Sequence, residues 1–149
     1  MHSPIELKKV YNPGDIVIFF AHEFVTEGNL QSNLSTNISL LHSTLNSISG
    51  YPVAKFIFIS SGGTVYGSAP TGTKFTECNS LRPISDYGFV KSSQEALCHK
   101  ICQSNVIPYA IVRPSNPYGP NHSRFGRKGF IEHAIIAFLS GQPLTLYTD

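Results

Sequence analysis

The sequence predicts an α/β fold in which helices cover a parallel β-sheet. Short apolar runs typical of strands alternate with helical patterns along the chain, and no internal repeat or low-complexity segment interrupts them. Strands that alternate with helices are joined by right-handed crossovers and therefore lie parallel in one sheet. A chain of 149 residues is long enough to bury a core as one domain.

The first part of the chain supplies two strands and one helix. Residues 15–21 are an almost unbroken apolar run after a Pro-Gly pair, which predicts a strand buried on both faces. Residues 30–48 have a stripe of apolar side chains at helical spacing, formed by Leu34, Ile38, Leu41, Leu45 and Ile48. Gly50 is expected to end this helix, and residues 55–60 form the next strand.

The second part continues the alternation. Residues 62–83 have no clear period and are rich in glycine, threonine and proline, so we interpret them as a functional loop. A helix is predicted after Pro83, with Ser85 or Asp86 as its cap. The later patterns predict a strand over 108–113, a loop to about residue 127, a helix over 129–140 and a short strand over 144–147.

Composition narrows the class of protein. Hydrophobic residues make up 41% of the chain and charged residues 13%, which is typical of a soluble globular protein. A net charge of +2 gives no support for a nucleic-acid partner, and no apolar run approaches the ~20 residues of a membrane span. The three cysteines have neither metal-binding nor redox spacing, and we expect no metal and a reducing cytoplasmic location. Cys98 and Cys102, four residues apart on a helix, are expected to be small packing residues.

The strongest chemical feature is the pair Tyr87 and Lys91. Residues four apart on a helix share one face, so the ammonium can reach the phenol or a ligand beside it. A free tyrosine has a pKa of ~10 and is a poor base at neutral pH, but a nearby cation favours the phenolate and lowers that pKa. Such a tyrosine can take a proton from a sugar or alcohol hydroxyl while hydride leaves the same carbon.

The segments on either side make this pair more specific. A Tyr-x-x-x-Lys spacing alone is weak evidence, because it occurs by chance on many solvated helices. Here a serine- and glycine-rich segment, 60–67, precedes the pair, and a proline-rich segment, 113–120, follows it. The predicted strand ends at Ala21, Ser60 and Arg113 meet at the carboxyl edge of the sheet, where ligands bind. The order of these segments predicts a hydride-transfer enzyme with one cleft.

In these segments the chain resembles the extended short-chain dehydrogenase/reductases, and within them the nucleotide-sugar epimerases of the UDP-glucose 4-epimerase group. The resemblance extends over nearly the whole chain, to a tail at 141–147. It implies a Rossmann-like parallel sheet of about four strands with flanking helices, forming a partial NAD(P)-binding domain over 1–149. It also implies NAD as the cofactor, with NADP left open, a nucleotide-sugar substrate, and a homodimer for the parent protein.

The resemblance implies roles for individual residues. Tyr87 matches the catalytic acid/base, and Lys91 matches the residue that binds the nicotinamide ribose and tunes Tyr87. Further cofactor contacts are expected at Ala21, Asn37, Ser60 and Pro114, and substrate contacts at Asn116, Thr64 and Arg124. Among the six histidines only His22, at a strand end near the expected cofactor, is a further candidate, and an ordinary structural role is favoured for it.

The chain departs from the family pattern at Gly62, where the family usually has a serine or threonine that hydrogen-bonds the reacting hydroxyl. Side chains alternate along a strand, so Thr64 points to the same side as position 62. Thr64, or the adjacent Ser61, is therefore the expected substitute in catalysis.

A second departure is the missing pyrophosphate turn. The family binds the pyrophosphate of its cofactor at a glycine-rich turn, and the glycines at 62, 63 and 67 have a different spacing. We therefore expect an interior part of a longer enzyme that lacks the N-terminal glycine-rich half and the C-terminal substrate domain. Its first strand would have an open apolar edge, and we expect the isolated chain to self-associate.

Three interpretations of function remain. The first is an NAD-dependent nucleotide-sugar epimerase. The second is a 4,6-dehydratase or reductase of the same family, although the dehydratases typically have an Asp-Glu pair where this chain has Gly63-Thr64. The third is a truncated or degenerate member without catalysis, which Gly62 and the missing turn favour. Loss of the turn would cost several kcal/mol of binding free energy for the cofactor, and each ~1.4 kcal/mol lowers the affinity tenfold.

Overall fold

Most strands and helices predicted from the sequence are present in the computed structural model, which describes residues 11–23, 25, 27–119 and 130–144. In chain order they are β1 (Ile16–Phe19), α1 (Leu30–Ile48), β2 (Lys55–Ile59), α2 (Asp86–Ser104), β3 (Tyr109–Val112) and α3 (Phe130–Ser140). The α/β fold class is confirmed, with three strands in the described residues. Of the strand predicted over 144–147, only residue 144 is described, and it has no strand conformation; the rest lies outside the described residues.

The three strands form one parallel sheet in the order β1-β2-β3. Val17 lies opposite Phe56, and Phe58 lies opposite Ile111. Parallel neighbours need a crossover between them, and α1 and α2 supply the two crossovers. The carboxyl ends of the strands consequently meet at one edge of the sheet.

One face of this sheet holds the core of a compact unit formed by residues 1–113. Side chains of both helices pack on it, in a cluster of Val17, Phe19, Leu41, Leu45, Ile48, Val53, Phe56, Phe58, Cys98, Cys102 and Ile107. The two helices also pack against each other. α3 belongs to a second compact unit, residues 114–149, and the single domain expected over 1–149 stays a prediction.

β1 is not buried on both faces in the described structure, so that prediction is wrong. Val17 and Phe19 are buried against the helices, but Ile16 is 59% exposed, Ile18 52% and Phe20 69%. An apolar run indicates which side chains are hydrophobic, but not which face of the strand another element covers. α1 and α2 cover only the face with Val17 and Phe19.

The inward side of α1 changes from polar to apolar along the helix. Its second half is fully buried as predicted, at Leu41, Leu45 and Ile48. In the first half Asn33 and Asn37 occupy the buried positions, whereas Leu34 and Ile38 are only partly buried. After the helix Gly50 has a φ of 81°, the left-handed conformation that follows many helix ends.

α2 has a side-chain cap and an apolar C-terminal half. Ser85, rather than Asp86, is the cap, because its Oγ accepts a hydrogen bond from the Gly88 N–H at 3.1 Å. Cys98 and Cys102 are fully buried in the core, with their Sγ atoms 3.9 Å apart. The prediction that these cysteines are packing residues is confirmed.

The described residues contain neither a metal-binding cluster nor a helix that could span a membrane. No group of three or more His, Cys, Asp or Glu side chains among them is arranged to hold a metal ion. None of the helices described combines the length and the apolar character required to cross a bilayer. The three thiols are free, with Cys78 exposed.

We expect the 149-residue chain to self-associate through β1, because the exposed apolar side chains of this strand form a surface that another chain can cover. β1 is also the outer strand of the described sheet, and its edge can pair with another strand. Sedimentation at micromolar concentration should reveal species larger than a monomer. Ile18→Lys should shift the distribution toward monomer, because burying an unpaired ammonium in such a contact is unfavourable.

The matched control is Ser39→Lys, at an exposed position of α1, which should leave the distribution unchanged. A single monomeric species for the unmodified chain would contradict this prediction.

Candidate active site

The candidate site lies where β1 and β2 end and α2 begins. The chain leaves β1 at Ala21 and His22, and leaves β2 at Ser60 and Ser61. The first turns of α2 supply the side chains of Tyr87 and Lys91, so residues distant in sequence meet at the carboxyl edge of the sheet.

Tyr87 and Lys91 lie on the same side of α2, as their spacing predicts. The Lys91 Nζ is 5.9 Å from the centre of the Tyr87 ring and 5.2 Å from the centre of the Phe58 ring. It donates a hydrogen bond to the Ile59 carbonyl at 3.1 Å. Lys91 is only 4% exposed, so an ammonium is held inside the protein at the end of β2.

The protonation of this pair differs from the sequence prediction. Burial raises the pKa of Tyr87 above its ordinary value, and a hydrogen bond from the Ser61 side chain offsets only part of that effect. Burial also lowers the pKa of Lys91 to about 8, against the opposing influence of Glu95. The sequence predicted that Lys91 lowers the pKa of Tyr87, and that prediction is wrong, because this pKa is raised. The physical reason is that desolvation of the phenol dominates while the ammonium bonds a backbone carbonyl.

Two buried hydroxyls at the site have no hydrogen-bond partner among the described residues. They are the Ser60 Oγ, in a side chain that is 4% exposed, and the Thr64 Oγ1. A buried polar atom without a partner costs about 1–3 kcal/mol, so such atoms are expected to be paired when a ligand is present. Thr64 is half-buried, and its backbone N–H donates a hydrogen bond to the Ser61 carbonyl at 3.4 Å.

The loop that holds Thr64 touches the start of α2 through a glycine. A Cβ on Gly88 would lie 2.6 Å from the Thr64 carbonyl oxygen, a distance that side chains do not tolerate. The same loop turns at Gly67, which has a φ of 78° and would place a Cβ 2.0 Å from the Arg82 carbonyl oxygen. Gly88 therefore allows the loop to approach the helix, and Gly67 allows the loop to approach its own later part at Arg82.

Arg113, which follows β3, forms hydrogen bonds with both α2 and the loop after β2. Its guanidinium binds both carboxylate oxygens of Glu95, at 2.9 and 2.6 Å, and donates to the Tyr66 hydroxyl at 2.8 Å. The Tyr66 ring in turn stacks on Phe75 at 4.8 Å. Its hydrogen bond to Glu95 raises the pKa of Arg113 further above its already high ordinary value. We missed this cluster in the sequence, although Glu95 stands four residues after Lys91 and Arg113 ends a predicted strand.

Asn37 is fully buried and holds the segment after β1. Its Oδ1 accepts a hydrogen bond from the Glu23 N–H at 3.0 Å, and its Nδ2 donates to the Asn33 carbonyl at 3.0 Å. The Gln94 Nε2 of α2 donates to the Asn37 carbonyl at 3.0 Å. The side chain of Asn37 thus positions the segment with His22, and its expected contact with the cofactor stays a prediction.

The remaining predicted residues fall in several places. Ala21 is exposed at the end of β1. Pro114 and Asn116 belong to the second compact unit, and Arg124 lies outside the described residues. The described structure places six predicted residues at one end of the first unit: Ala21, Ser60, Ser61, Thr64, Tyr87 and Lys91.

We predict that Gly88→Ala destabilises the fold by about 1–2 kcal/mol. Alanine normally stabilises a helix relative to glycine by up to ~1 kcal/mol, but here its Cβ would collide with the Thr64 carbonyl, and overpacking costs about 1–3 kcal/mol. Urea unfolding measures the difference.

Gly119→Ala is the matched control, because a Cβ there meets nothing within 4 Å. If Gly88→Ala unfolded at the same or a higher urea concentration than the unmodified chain, the close approach of loop and helix would be incorrect.

Comparison with known proteins connects this geometry to a family. The family model for the NAD dependent epimerase/dehydratase family matches residues 5–149. A protein of Bacillus subtilis named as an uncharacterized UDP-glucose epimerase is 35% identical over 114 residues, which are 76% of this chain and 34% of that protein.

Solved structures agree with the fold. The UDP-glucose 4-epimerase of Thermotoga maritima, solved with UDP-glucose, has a TM-score of 0.80 and 25% identity over 98% of this chain and 49% of its own. The UDP-glucuronic acid 4-epimerase of Bacillus cereus, solved with NAD, has a TM-score of 0.77 and 28% identity over 99% of this chain and 47% of its own. The chain thus spans about half the length of these structures, and its match covers about a third of the Bacillus subtilis protein.

These matches confirm the predicted resemblance and the Rossmann-like sheet. NAD, the cofactor expected from the sequence, is the one in the description of the family and in the Bacillus cereus structure. The chain belongs to the NAD-dependent epimerase/dehydratase family.

Proposed function

We propose that the protein containing this sequence is an NAD-dependent nucleotide-sugar epimerase in which Tyr87 exchanges a proton with a sugar hydroxyl. The observation that supports it best is the placement of Tyr87 and Lys91 on one side of α2, with the ammonium 5.9 Å from the centre of the phenol ring. Both side chains lie at the carboxyl edge of a parallel sheet, where such sheets bind ligands.

The residues at this edge fit NAD. The cofactor presents ribose hydroxyls and a carboxamide, and the site offers the unpaired Ser60 and Thr64 hydroxyls. The Lys91 ammonium has three N–H donors and one hydrogen-bond acceptor in the described protein, the Ile59 carbonyl. Its remaining donors can bind ribose hydroxyls, which is the role that we propose for Lys91.

The proton chemistry follows from the protonation of Tyr87. When bound, NAD supplies the hydride acceptor and, in the reverse step, the hydride donor. Tyr87 keeps its proton at neutral pH, because burial raises the pKa of its phenol. To act as a base, its Oη must first release that proton to solvent, and the Lys91 ammonium beside it then stabilises the phenolate. Tyr87 then takes the proton of the sugar hydroxyl and returns it when the keto group is reduced from its other face.

The loop after β2 favours epimerisation over dehydration. Dehydratases of the family typically have an Asp-Glu pair at the position of Gly63-Thr64, and that pair supplies their proton donor. The chain has no carboxylate at these two positions. Thr64, with an unpaired Oγ1, or the adjacent Ser61 is proposed to hydrogen-bond the reacting hydroxyl.

Other parts of the proposal rest on the resemblance alone. Asn116 and Arg124 are proposed to contact the nucleotide sugar, and Ala21, Asn37 and Pro114 to line the cofactor site. We also propose a homodimer for the parent protein, and a cytoplasmic location, which is consistent with three free thiols.

A second candidate function is binding of a nucleotide without turnover. Gly62 favours it, because the hydroxyl that the family usually has at that position is missing. Calorimetric titration with NAD, followed by a turnover assay with UDP-glucose, separates the two candidates. Binding of NAD without conversion of the sugar would favour this second function.

We predict that Tyr87→Phe lowers the rate of epimerisation by ~10²-fold or more, the scale of one general acid/base. The change keeps the ring and removes only the proton-exchanging hydroxyl, so the affinity for NAD should change little. The assay measures conversion of UDP-glucose to its C4 epimer.

Tyr51→Phe is the matched control, since Tyr51 follows α1 at the opposite end of the sheet, and its turnover should be unchanged. Undiminished turnover by Tyr87→Phe would rule out the proposed role of the phenol.

A further inference from the structure

His22 is a polar residue that the proposed function does not use. It lies three residues after the end of β1, and the sequence alone favoured an ordinary structural role for it. Its ring packs edge-on against the ring of Tyr87, with centroids 5.1 Å apart and an angle of 89° between the planes. The imidazole is thus in contact with the proposed acid/base.

Both ring nitrogens of His22 are buried and have no hydrogen-bond partner among the described residues. A neutral imidazole has one N–H donor and one acceptor nitrogen. Leaving such groups buried and unpaired is unfavourable, and most buried polar groups in folded proteins are paired. A structural histidine would be expected to bond a backbone or side-chain atom, so a partner beyond the described residues is indicated.

The surrounding hydrogen bonds fix where the ring lies. The next residue, Glu23, donates its N–H to Asn37 at 3.0 Å. Further along the same segment the Gly28 N–H donates to the Asp86 carboxylate at 2.9 Å, and the Asp86 N–H donates to Glu27 at 3.2 Å. The segment is therefore fastened to both α1 and α2, which pre-organises His22 beside Tyr87.

The electrostatic surroundings select the chemistry of the ligand group. Lys91 and Tyr87 are the titratable groups that face the ring from α2. Burial, reinforced by the Lys91 charge, lowers the pKa of His22 to about 4. The imidazole is consequently neutral at physiological pH, so it suits an uncharged hydrogen-bonding group rather than a phosphate or a carboxylate.

We propose that His22 is a ligand-binding residue of this site, whose ring hydrogen-bonds an uncharged polar group of the ligand beside the Tyr87 phenol. A sugar hydroxyl and the carboxamide of the cofactor have this chemistry in common. The inference rests on the proposed function, because it places NAD and a nucleotide sugar at the same edge of the sheet.

The first test observes the His22 ring nitrogens directly by ¹⁵N NMR in the full-length protein containing this sequence, first with NAD and then with NAD and UDP-glucose. One nitrogen should change its chemical shift, and its N–H should become protected from exchange. A response to NAD alone identifies the cofactor as the source, and a response that needs UDP-glucose identifies the sugar. If NAD and UDP-glucose bind without changing either nitrogen, the inference is overturned while the proposed function stands; if neither binds, both are overturned.

The second test uses substitutions that separate hydrogen bonding from packing. His22→Leu keeps an apolar contact with Tyr87 but removes the hydrogen bond, and we expect the KM for UDP-glucose or the Kd for NAD to rise roughly tenfold, the scale of one hydrogen bond. His22→Gln or His22→Asn, which place an amide near one or the other ring nitrogen, should restore most of the affinity.

His42→Leu, the same change at an exposed position of α1, is the control and should alter neither constant. Unchanged affinity in His22→Leu would overturn the inference. Equal loss in the leucine, glutamine and asparagine variants, together with a reduced free energy of unfolding, would also overturn it, because that result indicates a packing role.

Discussion

The site depends on one buried ammonium, that of Lys91, bonded to the carbonyl of Ile59. This hydrogen bond joins the first turns of α2 to the end of β2 and thereby fixes Tyr87 over the carboxyl edge of the sheet. Burial of this ammonium disfavours its charged form, and it lowers the pKa of Lys91 to about 8. A protein that needed only a packed core would place an apolar side chain at this position. The charge at this position supports the proposed role of Lys91 in ligand binding.

Polar side chains of the two helices extend this arrangement. Gln94 joins α2 to the backbone of α1 at Asn37, and Asn37 joins α1 to the segment after β1. On the other side Glu95 binds Arg113 at the end of β3. The inward surface of α2 is therefore apolar toward Cys102 and polar toward Tyr87. Packing holds the fold together at one end, and hydrogen bonds set the positions of side chains at the other.

The sequence was sufficient for those features that depend on local periodicity. Alternating strand and helix patterns predict the parallel sheet, and the 3.6-residue period places Tyr87 and Lys91 on one side of α2. It could not give the raised pKa of Tyr87, because that depends on how far burial outweighs a nearby cation. Nor could it give the Arg113, Glu95 and Tyr66 cluster, whose members come from three separate segments. The exposed face of β1 was mispredicted because hydrophobicity does not indicate which elements cover a strand.

The most direct test of the account is to measure the affinity for NAD and the free energy of unfolding in Lys91→Met. Methionine has a similar length but no charge, so it removes the proposed ribose contact and the buried ammonium together. The account predicts that the Kd for NAD rises at least tenfold, on the scale of ~1.4 kcal/mol, while the free energy of unfolding at neutral pH is maintained or increased. An unchanged Kd together with a less stable fold would contradict it, because Lys91 would then serve the structure and not the ligand.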